Sequence, residues 1–308
     1  MITIFSIPKP FIGYVGEIQR NAVRSWALLD GGVEVLLCGD EEGTDEVAED
    51  VGAGRMPDLA RNEYGTPLVS DAFHKAGVQA AHDVLCYVNA DIILLDDFLP
   101  AVRQAVEWAP QFLMSGQRRE VSAVPSADIG RPGWTERCRD LAERTGRLAS
   151  PWAIDYFVFP RGAVSELPPF AVGRPGWDNW MIYRALVRGV PVVDATTAVV
   201  AVHQDHGYAH VPQKRGQRWQ GPEADRNREL MGRARLAGDQ HSFSLQDANW
   251  EFTRDGFRRR MWTQERRRRF VATLPALYPV VRPLMPVFRG LCRALPSAVW
   301  RRLGERMP

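Results

Sequence analysis

The run Leu85-Cys86-Tyr87-Val88-Asn89-Ala90-Asp91-Ile92-Ile93-Leu94-Leu95 constrains this chain more than any other stretch. A continuous apolar run of this kind fits a strand covered on both faces, as in a parallel sheet lying between helices. It also carries a carboxylate, Asp91, to the end of that strand. An acid there has a desolvation cost unless a positive group faces it. A divalent cation bound with a diphosphate is one group that meets the need. A polar strand terminus or a helix N-cap is the plainer reading.

The neighbouring pattern supports a sheet. Thr3–Ile7 reads as a first strand, and Pro8-Lys9-Pro10-Phe11 after it reads as a loop, since proline disfavours helix before it. A helix is expected from Gly16 to Leu29, with Ile18, Ala22, Trp26 and Leu29 on one stripe. Val33–Cys38 is a second strand ending at Gly39-Asp40. Helices follow at Asp45–Val51 and from Ser70 to His82, then the strand Leu85–Asn89, then a helix over Phe98–Trp108. This alternation predicts an α/β fold: a mixed, mainly parallel central sheet with helices on both faces. Ligands of such sheets collect at the carboxyl ends of the strands. Pro8–Phe11, Asp40 and Asp91 all fall at such ends and can share one crevice.

The second half is less regular. Strands are expected at Phe112–Ser115, Ile154–Phe159, Val190–Val193 and Val199–His203, with a helix at Trp177–Leu186. Residues 125–150 read as an exposed loop or insertion, and Gln213–Gly221 as a mobile loop. Organisation is expected as one domain over 1–250, with a nucleotide-binding half over about 1–110 and an acceptor half over about 111–250, and a basic amphipathic helical tail over 251–308.

Charge separates body from tail. Residues 254–308 hold 14 Arg, no Lys and 3 acids, a net +11, so within a total of +2 the preceding residues carry −9. Such a tail suits an anionic surface, or packs as a helical subdomain on the body or on a second copy. No helix-turn-helix, zinc-finger or RNA-recognition signature accompanies it, which argues against nucleic acid. No apolar run reaches the length of a bilayer span, and the first residues lack the pattern of a secretion signal. A cytoplasmic protein, peripheral on the inner face of the membrane, is the expectation. Cys38, Cys86, Cys138 and Cys292 have no CxxC spacing and read as buried thiols in a reducing compartment.

Other residues point to chemistry. Phe11 can stack on a base with Lys9 near a phosphate, and Asp40 can accept from a ribose hydroxyl or a base N–H. Asp178 opens a helix, where free N–H groups favour an anion. Trp177 and Trp180 flank it, and indole faces suit the C–H faces of sugars. Trp152 and Asp155 are candidates for an acceptor pocket. Arg118 and Arg119 are either a solvated pair or face a phosphate or the acceptor. His203, His206 and His210 lie close together, which raises zinc, although the strand before His203 argues against one helix presenting all three.

Taken in order, Ser6-Ile7-Pro8-Lys9-Pro10, Gly39-Asp40, Asn89-Ala90-Asp91, Gly173-Arg174-Pro175-Gly176-Trp177-Asp178-Asn179-Trp180 and His203-Gln204-Asp205-His206 resemble the GT-A glycosyltransferases, family 2-like nucleotide-diphospho-sugar transferases. The resemblance covers roughly residues 1–250. It implies a GT-A, Rossmann-like fold and transfer of a hexose or deoxyhexose from a nucleotide-sugar donor to a hydroxyl of a glycan or lipid-linked acceptor. A UDP-sugar is favoured over a GDP- or dTDP-sugar. Family members hold Mn²⁺ or Mg²⁺ with a D-x-D motif; here Asn89 takes the first position, so Asp91 does most of that work, with His203 as second ligand. Arg61, Asn62 and Asp71 correspond to a segment that lines the nucleoside. An acid placed like Asp178 is the general base of inverting members and has other tasks in retaining ones. A sugar-phosphate nucleotidylyltransferase, which has a glycine-rich loop after the first strand, and a non-catalytic GT-A-like binding protein are the alternatives.

Overall fold

The computed structural model describes residues 1–164, 166–205, 220–234 and 243–261. The expectations for His206, His210, Cys292, most of 213–221 and the tail beyond 261 fall outside these residues.

Nine strands form the main sheet. Its central part is β1 (Ile2–Ser6) with β2 (Val33–Cys38) and β4 (Val84–Val88) on either side, all parallel; β3 (Gly54–Met56) extends it past β2. Ile4 lies opposite both Val35 and Cys86. On the far side, β9 (Tyr156–Pro160) runs antiparallel between β4 and β6 (Leu113–Ser115). Beyond β6 come β10 (Val192–Asp194) and β12 (Trp250–Thr253), parallel to it, and β13 (Gly256–Arg259) as an antiparallel edge. The sheet thus continues past the boundary expected at 250. Arg258 pairs with Glu251, Arg260 with Asp194, and Arg259 lies 5.3 Å over the Trp250 ring, so the first arginines of the basic segment are tied to the body.

Alternation along the strands builds two cores. Phe5, Leu85, Tyr87 and Phe157 face α3 (Val69–Gln79) and α6 (Trp177–Val187). Ile4, Cys86, Val88 and Val158 face α1 (Gly13–Ala27) and α4 (Phe98–Trp108), and α2 (Thr44–Val51) joins that side through Val47 and Ala48. The parallel β1–β2–β4 arrangement with helices on both sides agrees with the α/β expectation.

A second sheet is absent from the sequence expectation. The apolar run Leu85–Leu95 is not one strand: it breaks at Asn89–Asp91, and β5 (Ile92–Leu94) enters another sheet of order β5-β11-β7-β8. Here β11 (Ala201–Gln204) runs antiparallel to β5 and parallel to β7 (Arg118–Val121), with β8 (Arg147–Leu148) at the edge. The stretch 125–150, expected as a loop, contains β8 and the helix α5 (Trp134–Arg144), which buries Cys138 and Ala142 under this small sheet. Arg139 of α5 pairs with Asp96 and Asp97, clamping the helix to the turn before α4. Cys38, Cys86 and Cys138 are buried free thiols, and no helix of the described residues is long and apolar enough to cross a membrane.

Candidate functional site

The site is assembled where β4 ends. Ser6 Oγ donates to the Val88 carbonyl at 2.6 Å and fixes the last turn of backbone before the break. Trp26, fully buried on α1, donates its indole N–H to the Ile92 carbonyl at 2.8 Å and fixes the chain just after it. Asp91 lies between these two anchors. Across the β5–β11 ladder His203 faces Ile92, and its Nε2 stands 3.5 Å from Asp91 Oδ2. Gln204 alternates to the opposite face and donates to the Ile18 carbonyl. The antiparallel register therefore aims His203 at the acid.

Two further carboxylates share this end of the sheet. Asp155 precedes β9 and is buried. It accepts from Asn89 twice, through the Asn89 backbone N–H to its carbonyl and through Nδ2 to Oδ1, both at 2.8 Å. Its other oxygen is paired with the buried Arg118, which also bonds Glu120 at 3.1 Å. Burial works to lower the Arg118 pKa, but the charges of Asp155, Asp91 and Glu120 overcome it, and the guanidinium is held firmly protonated. Arg118 is thus neither a solvated partner of Arg119 nor open to a ligand.

Asp178 opens α6. Gly176, with φ +107°, caps that helix, and a Cβ there would run into the Met231 side chain. Asp178 Oδ1 accepts from the Asn179 N–H at 2.9 Å. The dense surroundings raise the carboxyl and the Asp155 charge adds to this, while the N–H groups of the first turn oppose the shift; the result is a carboxyl pushed up to about 7. Tyr87, on β4, is raised by burial and by the charges of Cys38, Asp91, Asp155 and Asp178, so one buried residue senses all three acids of the site.

The expected aromatic platforms are packed away. Trp177 is 5% exposed, against Tyr87 at 4.9 Å and Phe157 at 5.8 Å between ring centres; Trp180 is 7% exposed, against Phe170. Spacing on α6 turns both indoles into the core, so neither offers a face beside Asp178. Trp152 is half-buried. Phe11 is 6% exposed, with the Arg20 guanidinium over its ring at 5.4 Å. Its ring belongs to the core rather than to a base-stacking wall. Pro8 is buried and Lys9 exposed, and Gln19 pins the Lys9 backbone by accepting its N–H at 2.8 Å and donating to its carbonyl at 2.9 Å.

Asp40 and Arg61, from the loops after β2 and β3, meet at 2.5 Å, and Arg61 also bonds Glu41 at 3.0 Å. The bond from Arg61 lowers the Asp40 pKa. Asn62 accepts from the Tyr64 and Thr66 N–H groups and donates to Glu223 of α7 (Pro222–Leu230) at 2.8 Å. Glu223 also pairs with Arg174, joining the Asn62 turn to the segment leading into α6. Asp71 accepts from the Ala60 N–H at 2.8 Å and pairs with Lys75. Burial opposes this, yet the Asp71 pKa falls below the ordinary carboxylate range. Asn62 and Asp71 therefore shape the loop wall.

Among the described residues no group of three His, Cys, Asp or Glu side chains converges to hold a metal. Asp91 and His203 supply two donors at a spacing that suits neighbouring positions on one cation. Their oxygen and imidazole donors fit Mn²⁺ or Mg²⁺, which commonly takes one or two protein carboxylates and completes its shell with water and phosphate oxygens. Sequence singles out neither Glu120 nor Gln19, and it places Arg118 on a solvated face or against a phosphate or the acceptor rather than against Asp155.

No family model and no curated protein matches the chain. Solved structures resemble it loosely. One is S. aureus TarS in complex with UDP-GlcNAc, at 14% identity and a TM-score of 0.31, over 40% of this chain and 36% of that one. Another is glucosyl-3-phosphoglycerate synthase from Mycobacterium tuberculosis in complex with phosphoglyceric acid, at 15% identity and a TM-score of 0.44, over 79% and 87%. The same synthase with Mg²⁺ and UDP matches at 16% and 0.40, over 68% and 74%. The chain spans little more than a third of the TarS structure. Overlap at this level adds nothing to the site's chemistry, which rests on its own residues.

Proposed function

We propose that this chain is a GT-A glycosyltransferase that moves a sugar from a nucleotide-diphosphate donor, a UDP-sugar foremost, to a hydroxyl of a glycan or lipid-linked acceptor. The observation that carries the reading is the Asp91–His203 pair, 3.5 Å apart where β4 gives way to β5. A half-open carboxylate and a buried imidazole at the carboxyl end of a parallel strand are suited to a cation–diphosphate. Asp91 and His203 would hold Mn²⁺ or Mg²⁺, which when bound neutralises charge on a leaving diphosphate. Asp40 and Arg61 would meet the nucleoside on the β2–β3 side. Asp178, poised near neutrality, would take the acceptor's proton. Burial of Asp155 and Arg118 keeps the floor of the crevice dry, which disfavours loss of the sugar to water. Trp152 is the aromatic residue left to line the acceptor side. The arginines beyond residue 261 would bring the enzyme to an anionic membrane surface where lipid-linked acceptors reside.

Calorimetric titration with UDP, with and without Mn²⁺, tests the reading. Binding is expected to strengthen with Mn²⁺, and Asp91→Ala is expected to abolish that gain together with sugar transfer. Metal-independent binding in an active Asp91→Ala protein would overturn it.

A further inference from the structure

Two arginines one turn apart on α1, Arg20 and Arg24, line an open cavity of about 420 Å³ beside the β1–α1 loop. Asp91, Asp155, Asp178 and His203 are not among its walls. The two guanidiniums are unequally engaged. Arg20 Nη1 donates to the Phe11 carbonyl at 2.9 Å, which anchors it, and its approach to Glu46 is an exposed 3.9 Å contact. Among the described residues no hydrogen bond or ion pair takes the Arg24 guanidinium. It lies against Gly130, where φ is +86° and a Cβ would come within 3.3 Å of Nη2. Like charges four residues apart on a helix repel. An anion shared between them would remove that repulsion and accept from both planar forks.

The rest of the wall narrows the class of ligand. Glu17 Oε1 accepts from Ser126 Oγ at 2.8 Å, which leaves its second oxygen as an acceptor. Asn21 Nδ2 donates to the Val124 carbonyl at 3.1 Å and to Gln204 Oε1 at 2.9 Å, so both its hydrogens are spent and Oδ1 is left to accept. A carboxylate on the wall works against a bare inorganic anion. Cationic forks beside free acceptors suit a molecule with a phosphate at one end and hydroxyl groups at the other. We propose that this cavity binds a hydroxylated phosphate monoester, with Arg24 and Arg20 on the phosphate and Glu17 and Asn21 Oδ1 on the hydroxyls. The site is separate from the donor crevice and does not depend on the reading given to Asp91 and His203.

Calorimetric titration of the full chain tests it, in phosphate-free buffer without divalent metal, the probes being glucose 6-phosphate, inorganic phosphate and glucose. Glucose 6-phosphate is expected to bind at about 1 mM or tighter, ahead of phosphate, and glucose not at all. Arg24→Gln is expected to weaken glucose 6-phosphate by about tenfold or more, while Arg226→Gln, which removes an exposed arginine of α7, leaves it unchanged. Without ligand Arg24→Gln melts no lower than wild type, since the guanidinium has no partner to lose and its charge repels Arg20. Glucose 6-phosphate raises the melting temperature of wild type and not of that variant. Asp91→Ala binds glucose 6-phosphate as wild type does, which keeps the cavity apart from the donor crevice. A soluble molecule and a lipid headgroup can both present this group. Wild type and Arg24→Gln are therefore compared on vesicles bearing phosphatidylinositol 4-phosphate and on phosphatidylserine vesicles matched in surface charge. An Arg24-dependent gain on the phosphoinositide assigns the group to a lipid; no such gain, with the solution results standing, assigns it to a soluble molecule. Equal affinity for glucose 6-phosphate in Arg24→Gln, its loss in Asp91→Ala, or binding of neither glucose 6-phosphate nor the phosphoinositide by wild type would overturn the proposal.

Discussion

At Asp178 three influences compete. Dense surroundings and the Asp155 charge favour the neutral acid, and the helix N–H groups favour the anion; the balance lies at about 7. In the unfolded chain the same group titrates near the ordinary aspartate value of about 3.9. A carboxyl raised on folding gives stability that is fully present below about pH 4 and is lost as pH rises through about 7. Asp178→Asn removes that loss. The variant is expected to exceed wild type in stability by about 2–4 kcal/mol near pH 8, and to match it near pH 4. Denaturant unfolding at the two pH values checks this. Catalysis has the opposite requirement, since a base must be ionised. Wild-type transfer should rise with pH along a limb centred at about 7, and Asp178→Asn should lose transfer by two orders of magnitude or so while still binding donor. Wild-type turnover in that variant would remove Asp178 from the proton's path.

At the scale of elements, two junctions hold the site. Gly176 takes φ +107° at the start of α6, and a side chain there would run into Met231. Gly176→Ala is expected to cost about 1–3 kcal/mol and to displace Asp178, seen as a lower melting temperature together with lost activity. Trp26 ties α1 to the residue after Asp91. Trp26→Phe keeps most of the packing but orphans the Ile92 carbonyl, for about 1–3 kcal/mol of stability. Because Ile92 adjoins Asp91, the Mn²⁺-dependent gain in UDP binding should fall as well; an unchanged gain would place the site's rigidity elsewhere. The elements of the large sheet were legible in the sequence because their signals are local. Val33–Cys38 and Phe98–Trp108 run to the ends that their apolar patterns mark. The small sheet was not legible, since β7 and β8 are short and carry Arg118, Arg119, Glu120 and Arg147; pairing between distant segments, not a periodic pattern, makes them strands. The strand-end acid and the histidine that the resemblance implies as its fellow ligand stand 3.5 Å apart. The indoles of α6 were misread because the spacing that marks a sugar platform also marks an inward helix face, and burial of a large aromatic is the stronger pull.

On the scale of the whole molecule, charge is divided between a folded body and the segment beyond it. Arg258, Arg259 and Arg260 are engaged by Glu251, Trp250 and Asp194, so the proposed membrane attraction rests on residues after 261. Co-sedimentation is expected with vesicles rich in anionic lipid and not with neutral ones. Raising salt from about 0.1 M to about 1 M should release the protein, since the Debye length falls to about 3 Å. Retention on neutral vesicles would assign the tail's apolar residues the larger part. The passage of the chain from one sheet to the other within Asn89–Asp91 has a mechanical consequence. Asn89 is laced to β9 and the large sheet, whereas Asp91 adjoins the start of β5 and His203 lies on β11, its neighbour in the small one. Any rocking of one layer over the other would pivot beside the acid–imidazole couple and shift it past the amide, so that the proposed grip on a cation and the proposed hold on a nucleoside would be geared to the same short hinge.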